Sequence, residues 1–147
     1  SATKMYGVNV LMSESFHSKL SPAVQQGLRR VDVVCLKGSS IAMPIYTCDR
    51  SNAFYVSVEA VARLGQASAV PEFQRVFAEA LDAFVDGDWA AAKVGLVEAL
   101  SICPRDLPCM RLMKHMNTPA NEPDFGLASE PFAAPPGWPG FHALLSK

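Results

Sequence analysis

The chain has 147 residues, half of them hydrophobic, which is enough to bury about two thirds of the unfolded surface in a core. Its 13 Lys and Arg residues nearly balance 14 Asp and Glu residues, and this charge excludes a general nucleic-acid binder. Charged residues interrupt every apolar stretch well before the roughly 18 residues of a membrane span, and no basic-then-apolar leader opens the chain. We therefore expect a soluble chain whose membrane anchor, if any, lies in sequence absent here.

The first elements are short. Apolar residues alternate over 8–12, which predicts a strand, and Ser13 is placed to cap a helix over 14–20 by accepting a backbone N–H. Residues 23–27 then predict a turn or a single helical turn.

A β-hairpin is predicted next. Two apolar, β-branched runs, 31–36 and 41–48, flank the polar break Lys37-Gly38-Ser39-Ser40. The first run is apolar on both faces except at Asp32, which predicts a strand covered on both sides. Pro44 cannot donate to a ladder, so the second strand is expected at an edge or bulged.

Three basic residues adjoin this hairpin. Arg29 and Arg30 are interpreted as solvated residues at the start of the first strand, with contact to a phosphate or a partner as the alternative. Lys37 lies on the loop beside Gly38, where a flexible ammonium could reach into a cleft without burying its charge. A plain solvated lysine is the other interpretation.

The composition changes over 50–70. Residues 54–64 fit helix and strand about equally, and 67–71 is interpreted as a linker, so we place the domain boundary in this zone.

A helical hairpin is predicted after the linker. Gly87 ends its first helix, Asp88 caps the second and Pro104 closes it. The apolar stripes of the two helices are Phe73, Val76, Phe77, Ala80, Leu81 and Phe84, and Trp89, Ala92, Leu96, Ala99, Leu100 and Cys103. Gly87, Ala92, Leu96, Ala99 and Pro104 have the spacing of the second half of a tetratricopeptide repeat.

A third helix is predicted from Asp106, with an apolar side formed by Cys109, Leu112, Met113 and Met116. Residues 117–140 lack a period and predict an extended arm. The apolar residues at the end of the chain are expected to dock onto the helices or onto a partner. They are Trp138, Phe141, Leu144 and Leu145.

The cysteines and histidines predict no cross-links or metal. All four cysteines lie within apolar runs, which favours buried reduced thiols over disulfides. The histidines lack the spacing of zinc ligands, so no metal site is assigned. The residues concerned are Cys35, Cys48, Cys103 and Cys109, and His17, His115 and His142.

Several motifs resemble one family in their order along the chain. The first group is YGVNVLMSE over 6–14, RRVDVVCLKG over 29–38 and PIY over 44–46. It looks like the last part of a class III adenylate or guanylate cyclase catalytic domain. The second group is Gly87-Asp88-Trp89, Pro104-Arg105-Asp106, Pro108 and the closing run from Trp138-Pro139-Gly140-Phe141 to Lys147. It resembles the helical tail that follows this domain in some microbial members.

The resemblance implies a chemistry. Class III cyclases join the ribose 3′ oxygen of ATP or GTP to the α-phosphate and expel pyrophosphate, using Mg²⁺ or Mn²⁺. Their metal-binding aspartates and transition-state Asn and Arg match no residue here, so no catalytic residue and no metal ligand is assigned. The family's phosphate-binding loop lysine falls on Lys37, although Ser39-Ser40 stand where the family often has Lys or Arg.

The resemblance also implies an organisation. The expected fold class is α+β, with a partial ferredoxin-like cyclase segment over 1–49, a linker over 50–70, a tetratricopeptide-like helical appendage over 71–117 and an extended arm over 118–147. The expected partners are the rest of the cyclase domain, a second cyclase domain and ATP or GTP, on the cytoplasmic side of the cell. The alternative is a non-catalytic scaffold or interaction module derived from a cyclase.

Overall fold

The computed structural model describes residues 2–36, 38–49, 55–117 and 131–144. The helices are α1 Ala2–Tyr6, α2 Glu14–His17, α3 Pro22–Gln25, α4 Val58–Leu64, α5 Gln66–Asp86, α6 Trp89–Ile102 and α7 Leu107–Asn117. The strands are β1 Met12–Ser13, β2 Leu28–Leu36, β3 Ala42–Cys48 and β4 His142–Leu144. The chain is α+β, as predicted. It divides into a sheet unit, residues 1–53 with 139–147, and a helical unit, residues 54–138.

The sheet unit is built on the predicted hairpin. β2 and β3 pair antiparallel from Leu28 opposite Cys48 to Cys35 opposite Ala42, with a bulge between Arg30 and Asp32. β1 pairs antiparallel with β3, and β4 pairs parallel with β2, which gives the order β1-β3-β2-β4. Residues 31–35 of β2 are all buried, so the prediction of a strand covered on both sides is confirmed.

Two details of this sheet correct the sequence analysis. β3 is not an edge strand, because β1 flanks it, and the bulge lies in β2 rather than at Pro44. Proline is tolerated because β1 pairs only with Ile45 and Tyr46 and therefore does not extend to Pro44.

The N-terminal helices pack beside the hairpin. Ser13 caps α2 as predicted, accepting the Phe16 backbone N–H at 3.3 Å, but the helix is one turn long and ends at His17. The small core of the sheet unit contains Tyr6, Val8, Val31, Val34 and Ile45.

The helical unit contains the predicted helical pair. Gly87 adopts the left-handed conformation, with φ +84°, that lets α5 end, and the Asp88 carboxylate accepts the Ala91 N–H at 3.1 Å to start α6. This two-residue turn makes the helices antiparallel. The predicted third helix is α7, which buries Pro108, Cys109, Leu112 and Met116.

The prediction of a linker over 50–70 is wrong where the structure describes it. α4 occupies Val58–Leu64, and α5 begins at Gln66, so that Pro71 lies inside a helix. α5 buries Ala69, Phe73 and Val76 among other apolar residues, and this packing outweighs the cost of one proline and the missing hydrogen bond. Ser57 caps the start of α4 by accepting the Ala60 N–H at 3.2 Å, and its hydroxyl donates to the Ser101 carbonyl of α6 at 2.8 Å.

The end of the chain docks in two ways. Trp138 packs on the helices, and its indole N–H lies 3.1 Å from the Phe84 carbonyl at the end of α5. Residues 142–144 instead form β4, which pairs in parallel with Val34, Cys35 and Leu36 of β2. Leu145 and residues 118–130 of the predicted arm lie outside the described residues.

All four cysteines are unbridged. Three are buried as predicted, whereas Cys48 is half-buried. Within the described ranges, no helix is long and apolar enough to cross a membrane.

Candidate functional site

The candidate site is the closed end of the β2–β3 hairpin, where the resemblance places Lys37. Lys37 itself lies outside the described residues. Leu36 on one side ends β2 and is 47% exposed. Gly38 on the other side has φ +84°, and a Cβ added there would meet no atom within 4 Å. The backbone at Gly38 therefore has open space beside it.

Ser39 fastens the turn. Its N–H donates to the Leu36 carbonyl at 2.9 Å, and its hydroxyl accepts the Ile41 N–H at 3.1 Å. The Cys35 thiol donates to the Ser39 carbonyl at 2.8 Å. Ser39 therefore has a structural role at a position where the cyclase family often has a basic residue.

A groove of about 490 Å³ opens beside this turn. It is lined by Glu14, Ser15, Leu36, Ser39, Ile41, Ala42, Met43 and Pro44. Glu14 is the one titratable residue among these lining residues, all of which the structure describes. The groove can hold an apolar group beside a carboxylate, but it lacks the pair of carboxylates that a divalent metal site in a nucleotide-processing enzyme uses.

A polar cluster behind the groove joins α2 to the sheet. The Tyr46 hydroxyl donates to the Glu14 carboxylate, and the Tyr46 ring stacks on His17 with centroids 3.9 Å apart and planes at 11°. Burial raises the pKa of Tyr46 to about 12, and the hydrogen bond to Glu14 and its negative charge act in the same direction. The positive charge of Arg30 acts against them.

This cluster was not predicted from the sequence. Glu14 and Tyr46 are 32 positions apart, and no periodic pattern relates them. The available signal was that Glu14 and Tyr46 both fall within motifs of the cyclase resemblance.

The interpretation of Arg29 as a solvated residue is wrong. Its guanidinium pairs with Asp49 at 3.0 Å, and the two side chains are 4% and 5% exposed. Arg30, its neighbour, points to the other face of the strand and is half-buried next to Tyr46, its partner across the ladder. Arg29 is therefore committed to the hairpin itself rather than to a ligand.

Comparisons with known proteins add no identity. No protein-family model matches the chain, and neither a curated protein nor a solved structure shows significant similarity to it.

Proposed function

We propose that this chain is the C-terminal portion of a class III nucleotide cyclase that converts ATP or GTP to a cyclic nucleotide and pyrophosphate. The observation that carries the proposal is the hairpin motif: the family's Lys-Gly falls at positions 37 and 38, between a strand that ends at Leu36 and a strand that begins at Ala42. A lysine so placed would offset negative charge on the departing pyrophosphate.

The element order supports the same proposal. A strand, two short helices and a β-hairpin follow one another as β1, α2, α3, β2 and β3. The resemblance implies a strand, a helix and a hairpin for the end of a ferredoxin-like cyclase domain, so α3 is an addition to that order. In this proposal, the α5–α6 pair would be the helical, tetratricopeptide-like tail of some microbial members. The proposed partners are the rest of the cyclase domain and a second cyclase domain, on the cytoplasmic side.

The described residues do not fit the Mg²⁺ or Mn²⁺ that cyclases use. Within those ranges, no three His, Cys, Asp or Glu side chains are grouped so as to hold a metal ion. Glu14 is engaged with Tyr46, and Asp49 with Arg29. The proposal therefore assigns the metal ligands to the rest of the parent enzyme, and this chain contributes the loop lysine.

Three observations test the proposal. The parent polypeptide should contain, upstream of the present sequence, two metal-binding aspartates and a helix with an Asn-x-x-x-Arg motif, and the purified parent should release cyclic nucleotide from ATP or GTP with Mg²⁺ or Mn²⁺. The chain alone should release none, because metal-assisted attack needs the missing carboxylates. A parent that lacks both the residues and the activity would contradict the proposal.

A non-catalytic docking module is the second candidate, and one observation favours it. The groove exposes apolar side chains at the hairpin end, with Ile41 73% exposed and Leu36 47% exposed, and exposed apolar residues that adjoin one another are typical of interaction sites. An inactive parent that bound a protein partner tightly through Leu36 and Ile41 would support this candidate instead.

A further inference from the structure

The outer surface of α6 is apolar and exposed. Its inner face is buried through Trp89, Ala92, Leu96, Ala99 and Ile102. The side chains on the opposite side, Ala90, Val94, Val97 and Ser101, form the outer α6 face. Val94 is 70% exposed and Val97 is 52% exposed. A helix that is apolar on both sides is typical of one buried in a larger assembly.

The spacing of the outer α6 face fits a two-stranded helical contact. Its residues follow one another at intervals of four, three and four, which is the a/d pattern of a coiled-coil seam. In that register Val94 occupies an a position and Val97 a d position. Lys93 then occupies the flanking g position on one side, and Glu98 the e position on the other.

The two flanking charges determine the orientation of a partner copy. In a parallel, two-fold pair, a g residue faces the e residue five positions further along the other helix, so Lys93 of each copy faces Glu98 of the other. In an antiparallel pair, g faces g and e faces e, so lysine would face lysine and glutamate would face glutamate. Like charges are unfavourable, and a parallel arrangement is therefore favoured.

Lys93 is held close to this position. Its ammonium lies 4.3 Å from the centre of the Phe132 ring. A lysine ammonium has three donors, so contact with one ring face leaves it able to bind a carboxylate. The contact also reduces the entropy that the side chain would lose on pairing.

We propose that the outer α6 face is a parallel, two-fold self-association surface of this chain, with Val94 and Val97 in the seam and Lys93 paired with Glu98 of the second copy. Four small side chains bury much less than the roughly 1,200–2,000 Å² of a standard interface. The dimer is therefore weak, with a dissociation constant on the order of 100 μM for the chain alone. The inference concerns the helical unit and does not rest on the proposed function.

Charge reversal tests the pairing. Sedimentation equilibrium of the 147-residue chain up to about 1 mM should show a monomer–dimer equilibrium. Lys93→Glu and Glu98→Lys alone should each weaken the dimer about tenfold, because each turns two attractive pairs into repulsive ones. The double variant, which exchanges the two charges, should recover wild-type association. An equimolar mixture of the two single variants should form a heterodimer, because the glutamate introduced in one copy then faces the lysine introduced in the other.

Three outcomes would overturn the proposal. One is a wild-type chain that stays monomeric at about 1 mM, well above the expected dissociation constant. Another is a dimer that Val94→Asp leaves intact, because the interface of that dimer would not contain Val94 and would therefore lie outside the outer α6 face. The third is a dimer unaffected by either single charge reversal, which is the behaviour of an antiparallel pair. Circular dichroism at the same concentration checks that each variant, substituted at exposed positions, remains folded.

Discussion

The guanidinium group of Arg29 and the carboxylate of Asp49 form an ion pair at 3.0 Å in which both side chains are at most 5% exposed. Arg29 lies near the start of β2, and Asp49 directly follows β3, so the pair closes the open end of the hairpin. The Asp49 N–H also donates to the Gly27 carbonyl at 3.3 Å. A buried charge that loses its partner is strongly destabilising, whereas a matched apolar pair is not.

The first prediction follows from this pair. Asp49→Ala should lower the free energy of unfolding by about 3–5 kcal/mol, because it removes the carboxylate that neutralises buried Arg29. The double variant Arg29→Met/Asp49→Leu should lose clearly less free energy of unfolding than Asp49→Ala. Urea denaturation measures both, and Lys19→Ala, at an exposed lysine of the same unit, should change stability by less than about 0.5 kcal/mol. A loss below about 1 kcal/mol for Asp49→Ala would show that the pair is not neutralising a buried charge.

The second prediction concerns Tyr46. Because its pKa is raised to about 12, the folded state holds the phenol proton more tightly than the unfolded state, whose tyrosine pKa is about 10. The resulting stabilisation is complete below about pH 10 and is lost as the pH rises towards 12.

Ultraviolet titration of tyrosinate, compared between wild type and Tyr46→Phe, isolates the Tyr46 transition. Glu14→Gln should lower the pKa of Tyr46 by removing the adjacent negative charge, but should leave it above 10, since burial is the largest cause. A Tyr46 transition near pH 10 in the wild-type chain, or one indifferent to Glu14→Gln, would refute this explanation.

The third prediction concerns the close approach of α5 and α6 at Gly95. A Cβ added to Gly95 would lie 2.8 Å from the Cβ of Ala80, so the glycine is retained despite its poor helix propensity. Gly95→Leu should lower the free energy of unfolding by about 1–3 kcal/mol or more, because it overpacks the contact.

A double-mutant cycle separates the steric cost of overpacking from the gain in helix propensity. In the Ala80→Gly background the opposing methyl group is gone, so Gly95→Ala should stabilise by up to about 1 kcal/mol through helix propensity alone. In the wild-type background the same change should be neutral or destabilising. Equal effects in both backgrounds would mean that Ala80 and Gly95 do not meet.

The fourth prediction concerns Trp89. Its side chain is 4% exposed, its ring stacks on Phe84 with centroids 5.5 Å apart, and its indole N–H donates to the Phe84 carbonyl at 3.1 Å. Trp89→Ala should cost about 3–5 kcal/mol in urea denaturation, as for other large buried aromatic residues. Trp89→Phe, which keeps a ring but loses the donor, should cost less. If Trp89→Ala costs under about 1 kcal/mol, the α5–α6 contact is looser than its geometry suggests.

Local patterns made much of this fold predictable. The β2–β3 hairpin, the cap at Ser13 and the α5–α6 pair joined through Gly87 each depend on residues close in sequence, where periodicity and turn chemistry act directly. The start of α5 was missed, because Ala67-Ser68-Ala69 has the composition of a linker. Only the tertiary structure shows that Ala69 is buried in the core of the helical unit.

Long-range pairings were not predictable in the same way. The Arg29–Asp49 ion pair and the Glu14–Tyr46 hydrogen bond join positions 20 and 32 residues apart, and each depends on strand register, which no local pattern specifies. The parallel pairing of β4 with β2 likewise joins distant parts of the chain. At the candidate site, the sequence indicated Lys37 and the turn at Gly38 but not the groove, which requires α2 to lie beside the hairpin.

The measurement that tests the central claim most directly is the specificity constant of the proposed parent cyclase carrying Lys37→Ala. If the lysine contacts the triphosphate as charge develops on pyrophosphate, kcat/KM should fall about tenfold to a hundredfold, corresponding to roughly 1.5–3 kcal/mol, with a loss in kcat as well as in affinity. Lys37→Arg should restore part of the activity, because the guanidinium keeps the charge but not the shape of the ammonium. The exposed control Lys19→Ala should change kcat/KM by less than about threefold. Unchanged kinetics for a folded Lys37→Ala parent would contradict the account, since the hairpin would then contribute nothing to phosphate binding or catalysis.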